Sequence, residues 1–190
     1  MGSNAALRAF TAAEFLGALD VALSVGWAGA LAPEMKTGHC YAPGEIIDAQ
    51  TGERFSSPAG DRSTRLVTTP DVAGAAEKHR LNQSYGATLV DMEAATVARL
   101  AQMRGVPFFC FKGVSDAADA ELPDLNRFID VQGQMQMPSF LAHVALRPRC
   151  WGSLLELGRN SAVAARALAE GVNRFLTEEI VGRTHPMGAS

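Results

Sequence analysis

An α/β domain, built on a mixed, mainly parallel twisted sheet flanked by helices, is the fold this sequence predicts. Three observations carry that reading. Short β-rich apolar runs alternate with segments of helical period. The stretch Thr88–Asp119 reads as strand, carboxylate-bearing turn, helix, strand and second carboxylate-bearing turn. With 190 residues and 47% hydrophobic content, the chain can bury one core, so a single domain over 1–190 is expected, ordered to about residue 181 and ending in a tail.

The elements follow in order. Met1-Gly2-Ser3-Asn4 leads into AALRAFTAAEFLGAL, an amphipathic helix with Ser3 or Asn4 as its cap. Gly2 and Ser3 read either as a cloning remnant or as an anion-receptive loop, because free N–H groups point outward at a helix start. Val21–Val25 is a buried-strand candidate running into Gly26-Trp27-Ala28-Gly29-Ala30. Small residues there let backbone approach a ligand; the alternative is a tight turn with Trp27 packed in the core. Further strands are expected at Gly44–Asp48 and Arg65–Thr68, with Phe55–Arg62 as a loop between them. A helix from Thr69-Pro70-Asp71 to Tyr85, capped by Thr69 or Asp71, would carry Lys78 and His79 on a solvated face.

Thr88–Val90 then reads as a strand, Ala94–Met103 as a helix stopped by Gly105, and Phe108–Val114 as a covered strand. Two strands joined through that helix predict a parallel βαβ unit with a right-handed crossover. Beyond Asp119, Pro138–Leu146 and Ser161–Leu176 are helical, RPRCW breaks the pattern between them, and the tail begins near Gly182.

Composition excludes several classes. A net charge of −3 with no basic run argues against a nucleic-acid or anionic-membrane surface. No apolar run reaches the ~20 residues of a membrane span, and the start lacks a signal segment. Cys40, Cys110 and Cys150 form no CxxC pair, so a reduced, cytoplasmic setting without a zinc site is expected. No Ser lies in a GxSxG context and no three-glycine dinucleotide fingerprint is present.

The chemistry points to Glu93 and Asp116, each just past the carboxyl end of a strand, where open α/β sheets place ligands. Glu93 has two acceptor oxygens for two vicinal hydroxyls, as a ribose presents. Asp116, partly desolvated and near Asp119, is suited to hold a proton it can donate. Together they suit cleavage of a bond from a sugar to a leaving group that needs a proton. The plainer alternative has Ser115 or Asp116 capping a helix turn and Glu93 complementing a helix dipole.

At these residues a family resemblance enters. VDMEAATVARLA followed by GVPFFCFKGVSDAAD resembles the signature of the purine nucleoside phosphorylase superfamily, nearest to its methylthioadenosine/S-adenosylhomocysteine nucleosidases. SVGWAGALAPEMKTG and RLVTTPDVAGAAEKHRL extend it, while the part with RPRCW is more similar to hopanoid-associated phosphorylases. The resemblance implies that Glu93 binds the ribose hydroxyls with Met92 beside the sugar. It implies that Asp116, oriented by Ser115, protonates the purine. Ala28 and Gly29 would line the base and sugar pocket, and Val72 would lie near the base. A homodimer acting on a purine nucleoside, with phosphate as co-substrate in the phosphorylase branch, and needing no metal or organic cofactor, is the implied assembly.

One departure lies at the front. The family opens with strands before this chain's first helix, one of which leads to a catalytic glutamate. Here Met1-Gly2-Ser3 aligns inside the family's glycine loop, and none of Glu14, Asp20 and Glu34 has the context to replace that glutamate. The expectation is a chain truncated at its N-terminus. Three functions remain: an adenine-nucleoside hydrolase, a phosphate-dependent phosphorylase of the same fold, or an inactive nucleoside-binding relative.

Overall fold

In the computed structural model of the chain, which describes residues 2–120, 127 and 151–184, seven strands form one mixed sheet with four helices around it. The order of elements is α1 (Ser3–Leu16), β1 (Ala22–Ala30), β2 (Cys40–Tyr41), β3 (Pro43–Asp48), β4 (Arg54–Ser56), β5 (Asp61–Thr68), α2 (Ala75–Tyr85), β6 (Leu89–Asp91), α3 (Ala94–Arg104), β7 (Phe108–Asp116) and α4 (Trp151–Thr184). Across the sheet the strands run β2-β7-β1-β6-β5-β3-β4. The sheet curls: the Cys110 N–H on β7 donates to Ser57 Oγ just past β4, 3.1 Å away, although β4 is at the opposite edge.

The sheet is two parallel blocks joined back to back. β1 and β7 pair in parallel from Ala22↔Phe108 to Gly29↔Asp116, and β3, β5 and β6 form the second parallel block. Between them β1 and β6 are antiparallel, meeting only at Gly29↔Val90 and Ala30↔Leu89. This corrects the expected βαβ unit. The strands on either side of α3 do not pair; β1 lies between them, and β6 and β7 run in opposite directions. Periodicity identifies strands, but their order is a tertiary choice that a local pattern does not encode.

Several boundaries also move. β1 continues through the glycine-rich segment read as a turn, because Gly26 and Trp27 pair with Lys112 and Gly113 of β7. The segment read as a loop supplies β4 and the start of β5. α2 starts only at Ala75 with Gly74 in the cap position, since the Thr69 hydroxyl is used to donate to the Asp71 carbonyl. Neither Ser3 nor Asn4 caps α1; Gly2 occupies that position, without a side-chain bond. Gly105 ends α3 as expected, in the left-handed conformation that glycine adopts freely. α4 runs through Thr184, past the tail expected from Gly182, while the predicted Pro138–Leu146 helix and nearly all of RPRCW lie outside the described residues.

The main core lies between α3 and the β1–β7 block and includes Ala94, Ala98 and Ala101 of the helix and Cys110 and Val114 of the strand. Small residues on α3 let it approach the sheet closely. On the other side α4 covers β7, where Phe175 packs its ring against Phe109 and Phe111, at 4.7 and 5.1 Å between centroids. No helix among the described residues is long and apolar enough to cross a membrane.

Candidate active site

The antiparallel seam explains why two carboxylates meet. Because β6 overlaps only the tip of β1, the carboxyl ends of β6 and β7 both arrive beside Gly29, which pairs with Val90 on one side and Asp116 on the other. The two carboxylates are therefore brought together by β6 and β7 reaching the tip of β1 from its two sides, running in opposite directions. Gly29 must be small. A Cβ there would lie 2.9 Å from Asp116 Oδ2, 3.3 Å from Lys78 Cε and 3.3 Å from Val90 Cγ1.

A β-bulge aims the β7 side chains. The register shifts between Ala28 and Gly29, leaving Ser115 as the extra residue, so the strict alternation of faces fails there. Ser115 and Asp116 both reach the cleft as a result. The Ser115 hydroxyl is 2.6 Å from Asp116 Oδ1 and 3.3 Å from the Ala28 carbonyl, positioned to donate to either. Asp116 Oδ2 receives the Lys78 ammonium, which also donates to the Ala117 carbonyl at 2.5 Å. Neither Ser115 nor Asp116 caps a helix among the described residues.

Lys78 corrects the solvated-face expectation: it is 1% exposed. The signal was present in the sequence, because Lys78 precedes the buried Leu81 by three residues and the half-buried Tyr85 by seven, all on one helix face. His79 is exposed, as expected.

On the β6 side, the capping of α3 falls to residues other than Glu93. Asp91 Oδ2 accepts the Ala94 N–H at 2.9 Å, and Thr68 Oγ1 accepts the Ala95 N–H at 3.0 Å while donating to Asp91 Oδ1 at 2.6 Å. Glu93 sits in the cap position without a side-chain capping bond, so its carboxylate is left for the cleft. It accepts the Gly2 N–H, so the anion at this predicted anion loop is the protein's own Glu93. Ser3 opens instead on a small neighbouring pocket with Thr68, Thr69 and Arg99, where Arg99 is already paired with Asp48 and Glu53.

Beneath the site, Lys112 Nζ lies 2.8 Å from Asp91 Oδ2 and 3.0 Å from Ser24 Oγ, tying β7 to β6 and β1. Burial, the largest single influence, lowers the Lys112 pKa, but the Asp91 carboxylate together with Cys110 and Glu93 holds it above that of ordinary lysine. The Cys110 thiol is pushed up to about 12 by burial, which leaves it no role as a thiolate nucleophile near neutral pH.

These residues enclose a cleft of about 610 Å³, within the range of small-molecule sites. Ala28, Gly29, Val72, Met92, Glu93, Ser115 and Asp116, all singled out from sequence, line it; Gly2 and Ser3 do not. Trp27 also lines it and is 50% exposed, rather than packed in the core as the alternative had it. Among the described residues no cluster of His, Cys, Asp and Glu is arranged to hold a metal.

Comparison with known proteins bears on the family and the fold. The sequence model of the phosphorylase superfamily matches residues 51–142, the segment that carries α2, β6, α3 and β7. A search of curated proteins returned no match. Among solved structures, the chain is similar to Arabidopsis thaliana 5′-methylthioadenosine nucleosidase, with a TM-score of 0.60, 17% identity and coverage of 89% of this chain and 67% of that one. A variant of the Chlamydia trachomatis MTAN bound to MTA gives 0.53, 18%, 85% and 66%. Campylobacter jejuni 5′-methylthioadenosine/S-adenosylhomocysteine nucleosidase gives 0.53, 21%, 62% and 65%. The chain thus spans about two thirds of the length of these structures, and what they share with it is the fold.

Proposed function

We propose that this chain, whose residues 51–142 match the phosphorylase superfamily model, cleaves the N-glycosidic bond of adenine nucleosides such as methylthioadenosine or S-adenosylhomocysteine. The observation that carries the proposal is the convergence at Gly29 of an oriented acid, Ser115–Asp116, with a carboxylate, Glu93, that the protein does not use as a cap. Glu93 accepts the two ribose hydroxyls, taking up the substrate's donors in addition to that of Gly2. Met92 supports the sugar, while Ala28, Gly29 and Val72 give the flat base a close apolar bed. As the C1′–N bond lengthens, positive charge grows on the ribosyl ring and negative charge on the base. The carboxylate of Glu93 stabilises the first, and a proton delivered by Asp116 neutralises the second.

The nucleophile that completes the reaction is water in a hydrolase and phosphate in a phosphorylase. Adenine release from methylthioadenosine and from S-adenosylhomocysteine, measured with and without phosphate, distinguishes the two. Release by the wild-type chain should fall by about 10²-fold or more in Asp116→Asn, the usual scale of a lost general acid. Unchanged release in that variant would remove Asp116 from the reaction. A folded wild-type chain that binds methylthioadenosine without releasing adenine would be an inactive relative. Assembly as a homodimer is part of the same proposal and is read by sedimentation.

A further inference from the structure

Lys78 has no part in the reaction as described so far, yet its burial is costly. An ammonium taken out of water loses its hydration, and only close partners compensate for that. Its neighbours on α2, Glu77 and Arg80, satisfy each other at the surface, whereas Lys78 turns inward to Asp116 and the Ala117 carbonyl. With Ser115 at Oδ1 and Lys78 at Oδ2, both oxygens of Asp116 face protein donors. A carboxylate so engaged only accepts hydrogen bonds; it has no proton to give to a leaving base. The transferable proton closest to Oδ2 is on Lys78 Nζ, and Gly29 leaves no side chain beside that contact.

We propose that Lys78 is the positioning residue that supplies the acid's proton, so that Lys78 and Asp116 act as one couple. This rests on the reading of Asp116 as the general acid. As the C1′–N bond breaks and its electron pair moves onto the base, a carboxyl O–H on Asp116 breaks and an N–H forms on the base. The carboxyl proton comes from Lys78, where an N–H bond breaks as the O–H on Asp116 forms. Lys78 is left as a neutral amine. The proton lost by the attacking water, or by phosphate in its hydrogen-bearing form, restores the ammonium, and the cycle balances.

The consequence is a dependence on the leaving group. Two substrates read it: methylthioadenosine, whose adenine needs a proton to leave, and p-nitrophenyl β-D-ribofuranoside, whose nitrophenolate departs as a stable anion. Lys78→Met should lose about 10²-fold or more in kcat on methylthioadenosine, with KM nearly unchanged, while cleavage of the nitrophenyl riboside stays within a few-fold of wild type. Lys78→Arg keeps the positive charge but not a removable proton, because arginine does not deprotonate in proteins. It should show the same split, whereas a purely electrostatic role would restore adenine release. The nitrophenyl substrate also reports that the variant site is folded, and if Lys78→Met does not fold, the arginine variant carries the test. Equal losses on both substrates, or none on either, would overturn the role given to Lys78. A wild-type chain that cleaves neither substrate would refute the underlying reading of the site, and this inference with it.

Discussion

Replacing Lys112 by Met should destabilise the fold severely while hardly changing its packing volume. The Lys112 and Asp91 side chains are 2% and 0% exposed, and their ion pair is 2.8 Å long. Methionine fills the space of the lysine stem but removes the charge. Asp91 would then be a buried carboxylate with two donors left, the Thr68 hydroxyl and the Ala94 N–H. Breaking a buried pair from one side costs about 3–5 kcal/mol. At roughly 2–4 °C per kcal/mol for a chain of this size, Tm should fall by about 6–20 °C. The double variant Asp91→Asn/Lys112→Met should be milder than Lys112→Met alone, because an amide in place of the carboxylate leaves no buried charge unpaired. Urea unfolding of the three proteins measures both differences. A loss below about 1 kcal/mol in the single variant would refute the argument that the pair is dry and mutually dependent. The raised pKa of Lys112 adds a pH test. A group whose pKa is raised on folding contributes stability that is fully present below its unfolded value, about 10.4 for lysine. That contribution should fade as pH rises through the folded value, and only in proteins that retain Lys112.

Three further outcomes follow from the site and its support. Gly29→Ala places a methyl 2.9 Å from Asp116 Oδ2; the acid must move, and kcat/KM should fall by about 10²-fold, the scale of an ångström of misplacement, as steady-state kinetics would show. Thr68→Val removes the acceptor of the Ala95 N–H and a donor to Asp91, so unfolding free energy should drop by about 1–2 kcal/mol in denaturant titration. Glu93→Gln keeps the shape but loses the charge proposed to face the developing ribosyl cation, so adenine release should slow while Tm stays within a few degrees, since Glu93 makes no side-chain capping bond to α3.

What could be read in the sequence and what could not divide along a physical line. The α3 stop at Gly105 and the strand character of Phe108–Val114 depend on short-range preferences, and both hold. That Glu93 and Asp116 follow strands is a local property legible in the sequence, and both line the cleft although the strands before them are not neighbours. The extra residue at Ser115 depends on the register against β1, which no local window contains. The same is true of the Asp91–Lys112 pair, whose members are brought together by an antiparallel junction. Lys78 escaped for another reason. Lysine is a surface residue by default, and only its place on the Leu81–Tyr85 face argued otherwise. Trp27 went the opposite way: its size suggests burial, but its strand position lies on the cleft wall.

The short seam between the two blocks has a mechanical consequence. Two register pairs, with the Leu31 N–H to Thr88 carbonyl bond beyond them, are all that the backbone ladder contributes there, against the long β1–β7 ladder beside it. Glu93 follows the strand on one side of that junction, and Asp116 ends the strand on the other. A molecule held by both carboxylates, as proposed, would therefore be a rivet through this short seam between the two blocks. Occupancy of the cleft and cohesion of the two halves would become a single quantity, so the amides of Val90 and Leu31 would report ligand through slowed hydrogen exchange before any product is formed.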